Sequence, residues 1–80
     1  MKTKYKVLLN KFTDIGDFSR VIMNFPSDIN VYSNRYILDA KSILALMSLD
    51  LSKAIEVEIL SDDEQEINRF VCALGKYMVE

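Results

Sequence analysis

Few side chains in this sequence could do chemistry, and the most versatile one is absent. The 80 residues include no histidine and one cysteine, Cys72. Histidine is the commonest general base and metal ligand, and a zinc site needs several histidine or cysteine ligands. We therefore expect no metal site, no cofactor and no enzyme activity. Cys72 is interpreted as a small buried or half-buried apolar residue rather than a reactive thiol.

Ser42 is the hydroxyl-bearing residue with the most informative position, because a strongly apolar segment follows it. Its hydroxyl can cap a short helix by accepting an N–H of the first turn. Leu46 and Leu49 lie three residues apart, so they share one face of that helix. This spacing predicts a short helix packed on a sheet through these two leucines.

Three other apolar side chains of this helix, Ile43, Leu44 and Met47, lie elsewhere around its circumference. A helix of two turns on a sheet cannot bury every side. Either another part of the chain covers these side chains, as in a core helix, or they form an exposed apolar patch. An exposed patch of this kind usually marks a partner site.

Two carboxylates, Asp14 and Asp17, lie where the first helix is predicted to begin. A helix N-terminus attracts phosphate through its free N–H groups and positive dipole, but carboxylates there repel an anion. An aspartate that accepts a phosphoryl group is the alternative, and it requires a metal or a strong cationic clamp. Lys11 and Arg20 are the only nearby cations in the sequence for such a clamp.

Size and charge limit the function further. Eighty residues predict one domain over 1–80 with a small core. The net charge of −2 gives no bulk electrostatic case for nucleic acid binding. The longest apolar runs are too short to span a membrane, and no signal peptide is recognisable. With one cysteine, a cytoplasmic location is the default expectation.

The elements that position these residues are predicted from periodicity and from helix start and stop signals. Their order is a strand at 4–9, a helix from Thr13-Asp14 to Pro26, strands at 28–32 and 36–40, the helix from Ser42, a strand at 54–60 and a final helix. Asn34 lies in the turn between the second and third strands, where asparagine tolerates a positive φ. Strands with one polar face and helices to cover the other face predict an α+β open sandwich.

The last strand and the last helix have the clearest patterns. Ile55, Val57 and Ile59 are predicted to face inward, and Glu56 and Glu58 to face water. The segment 61–64 reads as a capping box that opens the last helix, with Ser61 as its cap. Apolar residues then recur at helical spacing at positions 67, 70, 71, 74 and 78.

This order, together with the segments Ser27–Val31, Lys41–Leu49 and Asp62–Glu66, resembles the HPr family. HPr proteins are the small phosphocarriers of the bacterial sugar phosphotransferase system. The resemblance implies a β-α-β-β-α-β-α open-faced sandwich, in which three helices cover one face of a four-stranded antiparallel sheet.

The resemblance fails at the family's active site. Family members have a Gly-[Ile/Leu]-His-[Ala/Thr]-Arg-Pro-Ala loop, whose histidine takes phosphate from enzyme I and passes it to sugar permease subunits. The corresponding region, Lys11–Arg20, is shorter and lacks the histidine, the arginine in register and the proline. No catalytic residue can be carried over. We therefore expect a divergent member without phosphocarrier activity.

The match at Ser42 implies a regulatory role. In many family members the corresponding serine is phosphorylated by a kinase that uses ATP, and the phosphoserine form binds a transcriptional regulator in carbon catabolite repression. Ser42 is thus the candidate regulatory phosphorylation site, or else only a helix cap. Ile43, Leu44 and Met47 match the family's docking patch.

The expected partner is a protein: a phosphotransferase-system protein, the serine kinase or the regulator. Neither nucleic acid nor a membrane is an expected partner. The chain is expected to be a monomer or a weak homodimer. Two alternatives stay open, namely phosphotransfer through Asp14 or Asp17, and a structural domain that dimerises through the apolar patch.

Overall fold

A computed structural model describes residues 2–79. Its elements follow the predicted order: β1 (Lys4–Val7), α1 (Ile15–Met23), β2 (Ile29–Ser33), β3 (Tyr36–Asp39), α2 (Ile43–Met47), β4 (Ile55–Ile59) and α3 (Glu64–Leu74). All three strand pairings are antiparallel, and the order across the sheet is β1-β4-β2-β3. The predicted α+β open-faced sandwich is confirmed.

β4 lies inside the sheet, between β1 and β2, and has the alternating burial that its sequence predicts. Ile55, Val57 and Ile59 are buried and Glu56 is exposed. Glu58 lies on the same face as Glu56 but is half-buried. Its carboxylate accepts a hydrogen bond from the Tyr32 hydroxyl on β2. The prediction that both glutamates simply face water is therefore too simple for Glu58.

The helices cover the apolar face of the sheet. In α1, the predicted core residues Ile15, Phe18 and Ile22 are buried. The helix ends at Met23, before Pro26, whose ring disfavours helical backbone at the preceding residue. Asp14 occupies the N-cap position of α1, yet its side chain makes no capping hydrogen bond.

Two predictions about the ends of the last helix were wrong. Its N-cap is Asp63, whose carboxylate accepts the Gln65 N–H at 3.0 Å, and Ser61 instead accepts the N–H of Asp63 at 3.1 Å. The helix ends at Leu74, and Met78 forms a bridge with Val7 of β1.

Cys72 is exposed rather than buried or half-buried. At about 100° per residue it lies roughly 140° around the helix from the buried Ile67, and therefore on the solvent side.

The β2–β3 hairpin turns through Asn34, whose φ of 55° confirms the predicted left-handed conformation. Asparagine tolerates this conformation better than most residues. In the described residues, no helix combines the length and hydropathy that crossing a membrane requires.

Candidate functional site

Ser42 is the N-cap of α2, as the sequence predicts. Its backbone is extended, with φ −92° and ψ 108°, and its Oγ accepts the Ala45 N–H at 3.2 Å. Its carbonyl accepts the Leu46 N–H at 3.1 Å, and its own N–H donates to the Asp39 carbonyl at 3.0 Å. The half-buried hydroxyl therefore lies where the β3–α2 connection meets the first turn of the helix.

Buried leucines on one side and a lysine at its start hold α2 in place. Leu46 is fully buried and Leu49, just after the helix, is 7% exposed. Lys41 donates from Nζ to the Phe25 carbonyl at 2.6 Å, which ties the start of α2 to the segment that follows α1. The Lys41 ammonium is therefore engaged away from Ser42.

The opposite side of α2 projects apolar side chains into solvent. Ile43 is 45% exposed, Leu44 78% and Met47 50%. These three side chains therefore form an exposed apolar patch and are not covered by another part of the described chain. We call Ile43, Leu44 and Met47 the docking face. Charged residues are absent from the five positions of α2.

The β1–α1 loop is built by side chains that accept hydrogen bonds from the backbone. The Asn10 Oδ1 accepts the N–H groups of Phe12 at 2.9 Å and Thr13 at 3.2 Å. The Asp14 carboxylate accepts the Asn10 N–H at 2.7 Å. These bonds explain why Asp14 does not cap α1, because its carboxylate is turned back onto the loop.

The two candidate cations lie near different aspartates, since Lys11 lines one surface groove together with Asp14 while Arg20 contacts Asp17. Asp17 forms an ion pair with Arg20 one turn along α1, and both side chains are largely exposed. Across residues 2–79, no three histidine, cysteine, aspartate or glutamate side chains are grouped to hold a metal ion.

Sequence reasoning missed a groove beside this loop. It has a volume of about 610 Å³ and lies between the β1–α1 loop and the α2–β4 connection. Asp50 lines it, and hydrogen bonds from the Ser52 hydroxyl at 2.6 Å and the Ser52 N–H at 3.1 Å lower the pKa of that carboxyl. The spacing Asp-x-Ser was the available signal, since aspartate commonly bonds the backbone two residues on.

Sequence reasoning also missed Glu66, which is only 3% exposed. Its carboxylate accepts the Ser27 hydroxyl at 2.6 Å and the Ser27 N–H at 3.1 Å. The bond from the Ser27 hydroxyl is the main reason that the pKa of Glu66 is lowered. This pair joins α3 to the segment that leads into β2 and has a structural role, away from the docking face.

A four-stranded antiparallel sheet under three helices, with a serine-capped second helix, is the architecture of the HPr phosphocarriers. Residues 15–78, four fifths of the chain, match the family model PTS-HPr, described as the PTS HPr component phosphorylation site. The chain belongs to this family. The matched segment begins at Ile15, so the loop around Asn10 and Asp14 lies before it. A search of curated proteins gave no match.

Proposed function

We propose that this HPr-family protein is a regulatory, protein-binding module without phosphocarrier activity. It acts through Ser42 and the docking face. Family membership supports a protein partner in general, since HPr proteins work by contact with other proteins of the phosphotransferase system. The partner is a phosphotransferase-system protein, a serine kinase or a transcriptional regulator, and the interaction takes place in the cytoplasm.

The observation that carries this proposal is the division of α2 into two sides. Leu46 holds one side in the core, while Leu44, two positions away, leaves 78% of its surface in water. Contiguous exposed apolar side chains are costly to keep in solvent and typically mark interaction sites. Met47 suits a surface that adapts to several partners, because its side chain is flexible and polarisable.

The absence of histidine supports the loss of carrier activity. The chain has no imidazole to accept a phosphoryl group. Asp14 is the N-cap residue of α1 and its carboxylate is turned back onto the β1–α1 loop, so an anion approaching this end of the helix would meet negative charge.

The position of Ser42 supports the proposed regulatory role. A phosphate there would add about −1.5 to −2 charge at a helix N-terminus, where the dipole favours an anion. It would also compete with the bond from the Ala45 N–H that the hydroxyl now accepts. Phosphorylation would therefore change the charge and the shape of the surface next to the docking face.

Incubation with ATP and the family's serine kinase, followed by intact-mass analysis, tests this proposal. Wild type is expected to gain one phosphate and Ser42→Ala none. Ser48→Ala is the matched control, because Ser48 is an exposed serine at the other end of the same helix. A phosphate retained in Ser42→Ala, or none in wild type, would contradict a regulatory role for Ser42.

Binding of the kinase to the docking face is tested separately, by titration with Leu44→Glu and Met47→Glu. Ile37→Glu is the control, because Ile37 is 62% exposed on β3. Both docking-face variants are expected to bind the kinase at least about tenfold more weakly than the control. A stable wild-type dimer that dissociates on Met47→Glu would instead favour the structural, dimerising alternative.

A further inference from the structure

The two edges of the sheet differ in what covers them. At the β1 edge, the Val79 N–H donates to the Lys6 carbonyl at 3.0 Å. The Leu8 N–H donates to the Tyr77 carbonyl at 2.9 Å, so the segment after α3 lies along the outer side of β1. β3 forms the other edge, and no strand of the described chain pairs with its outer side. A bare edge of this kind is a template for pairing with another strand.

The hydrogen-bond pattern of the β2–β3 hairpin determines which backbone groups of β3 point outward. The Ala40 N–H donates to the Ile29 carbonyl at 2.9 Å. Inward and outward groups alternate along an antiparallel strand. The backbone groups of Leu38 therefore face β2, whereas those of Ile37 and Asp39 point away from the sheet. A further strand would pair with these outward groups.

The side chains of β3 offer apolar surface on both faces of this edge. Tyr36 is 63% exposed and Ile37 is 62% exposed. By alternation, Tyr36 and Leu38 lie on the helix-covered face, and Ile37 and Asp39 lie on the open face. β3 contains neither lysine nor proline, the residues that commonly block pairing at an edge.

Two opposite charges flank the centre of β3 symmetrically. Arg35 and Asp39 lie two residues before and two residues after Ile37, and both are exposed. A twofold axis perpendicular to the sheet makes two copies of β3 antiparallel. Pairing centred on Ile37 then places Arg35 of each copy opposite Asp39 of the other, and Tyr36 opposite Leu38. Pairing centred on either charged residue would instead place like charges opposite each other, which is destabilising.

The charges of Arg35 and Asp39 are free for these cross-strand pairs. Neither residue forms an ion pair within the described part of the chain. The Asp39 Oδ1 accepts the Lys41 N–H at 2.9 Å, which leaves the other carboxylate oxygen for a partner. The Lys41 ammonium donates to a backbone carbonyl after α1 at 2.6 Å. On β2, the residue opposite Asp39 is the uncharged Asn30.

We propose that two copies of this chain pair through β3, antiparallel and centred on Ile37, so that one continuous sheet crosses both copies. Ile37 of each copy exchanges backbone hydrogen bonds with Ile37 of the other, and each Arg35 forms an ion pair with the opposite Asp39. The inference goes beyond the proposed function and rests neither on Ser42 nor on the docking face.

The dimer is expected to be weak, because stable interfaces bury about 1,200–2,000 Å² and β3 has four residues. Sedimentation equilibrium of the full chain should find mainly monomer at about 20 μM and a substantial fraction of dimer at about 1 mM. Deuterium exchange followed by NMR should show that the Ile37 and Asp39 amides become better protected as the concentration rises. The Leu38 amide, which already faces β2, should be protected at both concentrations. Kinase titrations at low micromolar concentration involve the monomer, so Ile37→Glu stays a valid control there.

The deciding variants are Arg35→Asp and Asp39→Arg. Each places like charges opposite each other in a dimer of identical copies, and each is expected to weaken self-association at least about tenfold. An equimolar mixture of the two should restore association, because their heterodimer has opposite charges at both positions. The restored association would also show that both variants fold.

Arg69→Asp is the matched control, since Arg69 is an exposed arginine on α3. It should dimerise as wild type does. A mixture of Asp39→Arg with Arg69→Asp has the same net charges as the restoring mixture but keeps one pair of like charges across the strands. It should therefore associate more weakly than the restoring mixture.

The proposal is overturned if wild type stays monomeric at the higher concentration, if mixing Arg35→Asp with Asp39→Arg restores nothing, or if Arg69→Asp is equally weakened. A dimer that dissociates on Met47→Glu but not on Arg35→Asp would also overturn it, because the contact would then be the docking face. Phosphorylation of Ser42 and binding of the kinase are measured separately, so failure of the β3 contact leaves the proposed function standing.

Discussion

Replacing Leu46 by alanine is expected to lower the free energy of unfolding by about 3 kcal/mol, within the usual span of about 2–5 kcal/mol for a buried leucine. Leu46 is fully buried, so truncation removes its packing and leaves a cavity. Leu44→Ala, two positions away on the same helix, removes the same atoms from a side chain that is 78% exposed. Its effect is expected to stay within about 0.5 kcal/mol.

These magnitudes are large against the stability of a chain this small. Typical values per residue give an 80-residue domain roughly 4–12 kcal/mol in total. A loss of 3 kcal/mol corresponds to a fall in Tm of about 15 °C at this size. Leu46→Ala should therefore remain folded at room temperature but melt far below Leu44→Ala.

Urea denaturation followed by circular dichroism measures both effects, since the shift in midpoint at constant slope gives the change in stability. Equal destabilisation by the two substitutions would refute the reasoning, because it would mean that α2 buries both of its sides. A stable Leu46→Ala would equally contradict the core position assigned to this leucine.

Other predictions follow from single contacts. Ser42→Ala should cost about 1 kcal/mol of stability through loss of the helix cap, and Ser42→Asp should retain most of it, as paired urea titrations can show. The pKa of Glu66 is lowered from its ordinary 4.5, so the ionised carboxylate stabilises the folded protein above that pH, and this stabilisation is lost as the pH falls and the carboxylate is protonated. The Tm of Glu66→Gln should therefore fall less between pH 7 and pH 3 than the Tm of wild type. Asn34→Gly should be nearly neutral, whereas Asn34→Ala should cost about 1 kcal/mol, because alanine resists a φ of 55°. Cys72 should react with a chromogenic disulfide reagent in the folded protein at nearly the rate of the urea-unfolded chain, because it is exposed.

The sequence predicted the buried side of an element correctly where its apolar residues followed a single clear period. Alternation along β4 and the pairing of Leu46 with Leu49 each identified the buried side correctly. Residue type alone predicts a buried Cys72, because free cysteine is usually buried, whereas its angular position on the helix predicts exposure, as the structure shows. Angular position around the helix predicted burial better than residue type, because the side of the helix that faces the sheet is the side that is buried.

The rest depended on tertiary contacts that local patterns do not contain. Ser61 and Asp63 are both acceptable caps, and α3 begins after Asp63, which places Glu66 in its first turn with its carboxylate on Ser27. The exposure of the docking face was likewise undecided by sequence, because composition allows either a core helix or a patch. The groove arose from loop conformations that follow from hydrogen bonds of Asn10 and Asp50 to their own loops.

The most direct test of the central claim is the intact mass of the protein after incubation with phosphoenolpyruvate and enzyme I. A histidine-containing HPr in a parallel reaction shows that the phosphoryl donor is active. The account predicts that the parallel protein gains one phosphate while this chain, which has no histidine, gains none. A phosphate gained from phosphoenolpyruvate would contradict the loss of carrier activity, and its disappearance in Asp14→Asn or Asp17→Asn would identify the acceptor.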